Sequence, residues 1–153
     1  MTHYAVLSNR RRRGFSLIEL LTVVTIVAIL AAIAIPGYRD HVIRSNRAGA
    51  KTALVEDAQF LERIRTESNK YNTDGGANPI DDSRLPVSQS PKDGTAQYTI
   101  SLTNLTDTTF TLNAVPVSGG VNGKYDKCET LTLDHLGAKQ VTGTEGAATC
   151  WNK

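Results

Sequence analysis

The sequence predicts an α+β protein in which a long N-terminal, membrane-spanning helix packs on an antiparallel sheet of three to four strands. Three observations predict it. Residues Leu17–Ile35 form an apolar run broken only by Glu19, Thr22 and Thr25. Beyond Pro36 apolar residues recur at helical spacing, and after residue 97 they alternate with polar ones at the period of a strand.

The 19 residues of the apolar run span roughly 28 Å as a helix, about the hydrocarbon thickness of a bilayer. Four arginines, Arg10–Arg13, stop at Gly14 just before it. The positive-inside bias keeps them cytoplasmic and puts everything after Pro36 outside. Glu19 is the anomaly. A carboxylate near the start of a membrane helix costs on the order of 3 kcal/mol unless neutralised. It is therefore protonated, close to the interface, or paired with a cation. A secretory signal cut after Ala32-Ile33-Ala34 and a plain signal anchor are the competing readings. The apolar run exceeds the roughly 7–15 residues of a signal peptide, and Glu19 interrupts it.

Pro36-Gly37 is expected to kink or loosen the helix, because proline removes a backbone hydrogen bond. Farther on, Leu54, Ala58, Leu61 and Arg65 fall at helical spacing, with Ala50 and Ile64 widening that face. Glu56, Asp57, Arg63 and Glu67 are assigned to the other faces. Gly49 weakens the helix by about 1 kcal/mol. Asn69 and then Asn72-Thr73-Asp74-Gly75-Gly76 end it, and a loop through Pro79, Pro86 and Pro91 follows. Tyr98, Ile100 and Leu102 alternate with polar residues, as do Phe110, Leu112 and Ala114. The short 104–107 connection makes these two strands a hairpin. Gly119–Gly123 reads as a loop. Leu131 and Leu133 mark a third strand, and His135–Lys139 turns toward a short fourth.

Seventeen Lys and Arg face fifteen Asp and Glu, but four of those cations are Arg10–Arg13. Without them thirteen cations face fifteen acids, a net charge of −2 that advertises no polyanion partner. Cys128 and Cys150 are the two cysteines, both on the exported side, and read as one disulfide worth roughly 3 kcal/mol. His41 and His135 have no nucleophile or carboxylate at a catalytic spacing, so the chain is read as no enzyme. Asp81-Asp82 lacks the ligand spacing of a calcium loop, and no cofactor or metal is expected.

Gly14-Phe15-Ser16-Leu17-Ile18-Glu19, followed by Leu20-Leu21-Thr22-Val23-Val24, resembles the prepilin motif of type IV pilins. The resemblance implies a leader, residues 1–14, removed after Gly14 by a prepilin peptidase that then N-methylates Phe15. Residues 15–36 become the transmembrane and filament-core helix and 37–69 its amphipathic continuation. Residues 70–153 become the globular loop and sheet with a disulfide-bounded C-terminal region. Glu19 and Pro36 match the family's glutamate and the proline after the apolar run. Cleavage exposes an ammonium at Phe15, and in a filament Glu19 can meet that of a neighbouring subunit. A buried pair is tolerable where either charge alone is penalised, so the pair would set axial register. Cys128-Glu129-Thr130-Leu131-Thr132-Leu133-Asp134, with Gly137 and Cys150-Trp151, is similar to PilE-like minor pilins.

The resemblance therefore implies a minor pilin that waits in the inner membrane and joins an extracellular pilus serving adhesion, twitching or DNA uptake. Its partners would be other pilin subunits, the peptidase and the inner-membrane assembly machinery. A type II secretion pseudopilin is the alternative from another class. A DNA-receptor pilin is the third. Its candidate contacts are Lys124, Lys127, Lys139 and Trp151, with Arg84 and Lys92 in the long loop. Interspersed Asp81, Asp82, Asp93, Asp126 and Glu129 are expected to cancel much of that field, so DNA is not favoured.

Overall fold

The apolar run and the amphipathic segment form one helix. In the computed structural model, which describes residues 14–152, α1 runs from Leu17 to Ser68 and passes through Pro36. The chain divides into two compact units, residues 1–37 and 38–153. Arg10–Arg13, and the leader apart from Gly14, lie outside the described residues.

In the first unit no described residue covers α1. Its large apolar side chains from Leu17 to Ile35 are 52–83% exposed. Thr22 and Thr25 turn their hydroxyls back onto the Ile18 and Leu21 carbonyls, at 2.8 and 2.9 Å, so the helix satisfies its own polar side chains. Pro36 has no N–H to offer the Ala32 carbonyl.

In the second unit Ile43, Arg47, Ala50, Leu54, Asp57, Leu61 and Ile64 are buried, a seam of alternating three- and four-residue steps. α1 ends where Asn69 adopts φ 59° and returns its N–H to the Arg65 carbonyl at 2.8 Å. Five strands form an antiparallel meander in sequence order: β1 (Gln89–Ser90), β2 (Tyr98–Thr103), β3 (Thr111–Pro116), β4 (Leu131–Asp134) and β5 (Lys139–Val141). Ile100 pairs with Ala114, Leu112 with Leu133, and Leu131 with Val141. The alternating Tyr98, Ile100, Leu112, Ala114, Leu131 and Leu133 are buried and join Ala50, Leu54, Leu61 and Ile64 in one core.

Four expectations are corrected. The sheet has a fifth strand, because two residues of the proline-rich loop pair with β2. The glycine-rich loop holds a short helix, α2 (Val121–Tyr125), and the chain closes on another, α3 (Ala147–Asn152). Asp57, assigned to an outer face, is fully buried on the seam. Asp126, counted among the surface acids, is buried too. Cys128 and Cys150 are disulfide-bonded with Cα atoms 5.9 Å apart, tying α3 to the segment before β4. The chain leaves β5 so close to that segment that a Cβ on Gly143 would collide with the Lys127 carbonyl.

Candidate functional site

The first unit presents a surface rather than a pocket. Gly14 and Phe15 are exposed at the start of the described chain, and Glu19 lies in the first turn of α1, where the helix dipole favours an acid.

The second unit is organised around Asp126. Its Oδ1 accepts Arg47 Nη2 at 2.5 Å and the Cys128 N–H at 2.9 Å; its Oδ2 accepts Tyr98 Oη at 2.6 Å and Asn122 Nδ2 at 3.1 Å. Asn122 Nδ2 also reaches the Ile43 carbonyl at 3.1 Å, and Asn46 donates to Asn122 Oδ1 at 2.8 Å. Helix α1, strand β2, helix α2 and the first cysteine are thereby fastened at one point. Burial alone would raise the Asp126 pKa. The Arg47 and Tyr98 hydrogen bonds, the Cys128 N–H and the Arg47 charge outweigh it and hold the carboxyl below its usual range.

That fastening places the predicted contacts along one side of α1. Beside α2, the Arg39 guanidinium lies 4.2 Å over the Tyr125 ring, with Lys124 Nζ 5.7 Å from the same ring. Lys127 lines a cleft with Arg44 and Arg47. Two turns along, Lys51 Nζ donates to the Trp151 carbonyl at 3.1 Å, and Lys139 stands 5.3 Å over the Trp151 ring. Lys124, Lys127, Lys139 and Trp151 are thus distributed between the levels of Arg39 and Lys51, with Arg39, Arg44 and Lys51 joining them unanticipated. Burial, then the charge of Arg47 and more weakly that of Lys139, lowers the Lys51 pKa against the pull of Asp126. Trp151 is half-buried, its Nε1 donating to the Gln140 carbonyl at 3.1 Å. Arg84 and Lys92 lie apart from this group, in partly exposed ion pairs to Asp74 (2.8 Å) and Glu56 (2.7 Å).

Fold and surface together define an α+β subunit built on a helix whose first half has no cover of its own. The solved structure of the Neisseria meningitidis non-core minor pilin PilV shares that fold, with a TM-score of 0.52 at 20% identity over 70% of this chain and 94% of that one. The family model for the prokaryotic N-terminal methylation motif matches residues 9–35, and the model described as type IV minor pilin ComP, DNA uptake sequence receptor, matches residues 36–132. The chain belongs to the type IV pilin family, in the minor-pilin group that the second model describes. Among curated relatives, the type IV major pilin protein PilE1 of Neisseria gonorrhoeae is 32% identical over 76% of this chain and 61% of its own length. The type IV major pilin protein PilA of Myxococcus xanthus is 56% identical over 42% of this chain and 29% of its own. The chain thus spans less than two thirds of the length of either.

Proposed function

We propose that this pilin is inserted by α1 into the inner membrane, cleaved after Gly14, N-methylated at Phe15 and assembled with other pilin subunits into an extracellular filament as a non-enzymatic component. One observation carries the reading: the uncovered apolar half of α1. Nineteen residues with every large side chain more than half exposed need a bilayer first and neighbouring helices afterwards. Residues 15–36 supply that helix, Pro36 lets it bend, and residues 70–153 are carried on the 37–69 continuation. Prepilin peptidase and the inner-membrane machinery are the partners of processing and assembly. Glu19 pairs with the N-terminal ammonium of an adjacent subunit, because neither charge is tolerable alone among packed apolar helices.

Mass spectrometry of filaments sheared from cells tests this and is expected to find an N-methyl-Phe15 peptide. A mature chain confined to the envelope would favour a pseudopilin, and a terminus at Ile35 would sink the filament reading. Glu19→Gln is expected to leave membrane insertion intact while lowering recovery in filaments at least about tenfold. Recovery equal to wild type would remove the register role.

A second reading is favoured by the match of the globular unit to a DNA uptake sequence receptor and by the cations along α1. From Arg39 to Lys51 the helix rises roughly 18 Å, the run of about five phosphates on one strand. Asp126 is buried on Arg47, so the two charges offset one another and leave the field to the remaining cations. Lys124, Lys127 and Lys139 would contact phosphates and Trp151 would offer a stacking face. The Lys124→Ala/Lys127→Ala/Lys139→Ala variant is expected to flatten the slope of log affinity against log salt by between about two and three. An unchanged slope would clear these lysines of DNA contact.

A further inference from the structure

We propose that a cleft of about 270 Å3 in the second unit binds a phosphoethanolamine group, the zwitterionic head of a membrane lipid. Its buried lining includes the Arg47–Asp126 ion pair, neutral as a unit, with side chains 9% and 0% exposed. Four more charged side chains line it: Arg44 and Lys127, and opposite in sign Asp40 and Glu145. None of the four takes part in the ion pairs found among the described residues. Asp40 and Arg44 are one helical turn apart on α1, where such residues commonly pair, and yet they do not.

Two cations and two acids leave the cleft neutral. A lone anion would meet Asp40 and Glu145 as well as Arg44 and Lys127, and a lone cation would meet the reverse. A ligand carrying one charge of each sign satisfies both. Phosphodiester oxygens can accept from the Arg44 guanidinium and the Lys127 ammonium, with the Thr149 hydroxyl, also in the lining, as a further donor. A primary ammonium can donate to Asp40 and Glu145.

Chain connectivity limits how far the cleft can lie from such a ligand. Asp40 follows Ile35, the last residue of the apolar run, by five residues, so the two can be no more than about 18 Å apart in any conformation. Lipid headgroups begin where the apolar run ends and extend roughly 5–7 Å farther. The supply of lipid rests on the membrane-anchored stage proposed above; binding does not, and it is tested on purified protein.

The full chain in detergent micelles would be offered phosphatidylethanolamine, phosphatidylglycerol or phosphatidylcholine and its retained lipids counted by native mass spectrometry. Phosphatidylethanolamine is expected to be retained about tenfold over phosphatidylglycerol, which lacks the ammonium, and over phosphatidylcholine, whose ammonium has no N–H. Soluble O-phosphoethanolamine in excess should displace it. Failure to displace it would show retention through acyl chains on α1 and overturn the proposal. Asp40→Asn/Glu145→Gln should erase the preference over phosphatidylglycerol, and Arg44→Gln/Lys127→Gln should weaken both lipids, with Arg44→Lys/Lys127→Arg restoring them. Equal retention of the two lipids by the wild type, or an unchanged preference in the acid variant, would also overturn it. So would duplex DNA that binds the wild type and is lost in Arg44→Gln/Lys127→Gln while lipid retention stays the same. The single tryptophan, Trp151, reports whether each variant is folded.

Discussion

Asp126→Ala is expected to destabilise the folded globular unit by about 3–5 kcal/mol, the penalty of leaving a buried charge without its partner. The loss exceeds one ion pair because the carboxylate serves four groups. Without it the Arg47 guanidinium stays buried and uncompensated, and Tyr98 Oη and the Cys128 N–H lose their acceptor. The double variant Arg47→Met/Asp126→Leu should recover much of the loss, since an apolar pair leaves no orphaned charge. Denaturant unfolding of the full chain in detergent, read from Trp151 emission, gives both numbers. A single variant within about 1 kcal/mol of wild type would mean that the network is not shielded from water. The sign with pH follows. Because the folded carboxyl titrates below its usual range, its contribution is present above pH of about 4 and fades as pH falls through the folded value.

What the sequence made legible was whatever repeats within a few residues. The apolar run, the helical face through Leu54 and Leu61 and the β2–β3 hairpin are all periodic. The hairpin register was not legible, since a 104–107 connection would pair Thr103 with Thr108, whereas the turn runs over 104–110 and pairs Thr103 with Thr111. β1 was hidden because two residues have no period, and α2 because its Gly119-Gly120-Val121-Asn122-Gly123 context reads as a turn. The charged centre was hidden for a different reason. Arg47 and Asp126 are 79 residues apart, and nothing local distinguishes either from a solvated side chain. A trace was present all the same. The three- and four-residue steps that place Ile43, Ala50, Leu54 and Leu61 on one seam also land on Arg47 and Asp57, so two charged residues occupy positions meant for apolar ones. The cation row was half legible: its lysines were named, but their alignment beside Arg39, Arg44 and Lys51 needs the fold.

Asp57 carries the converse expectation. It is fully buried; Oδ1 accepts the Val87 N–H at 3.0 Å, while Oδ2 has no hydrogen-bond partner. Burial pushes its pKa up to about 7 against the opposing Val87 hydrogen bond, with Glu56 adding to the rise and Lys92 reducing it. An unfolded aspartate releases its proton near pH 4. Between about 4 and 7 the folded chain therefore holds a proton that the unfolded chain has lost, and stability falls as pH rises through that window. The difference amounts to at most about 4 kcal/mol and is complete above pH of about 8. Asp57→Asn mimics the neutral acid, keeps an acceptor for Val87, and cannot ionise. It is expected to match wild type near pH 4, to exceed it progressively toward pH 8, and to flatten the acid-to-neutral slope. The dependence acts where Val87 docks the 85–90 segment on α1, so backbone hydrogen exchange at Val87 should quicken with pH more than intrinsic chemistry requires in wild type and not in the variant. Parallel unfolding curves for the two proteins from pH 4 to pH 8 would show that Asp57 is ionised when buried and compensated by a group other than those facing it here.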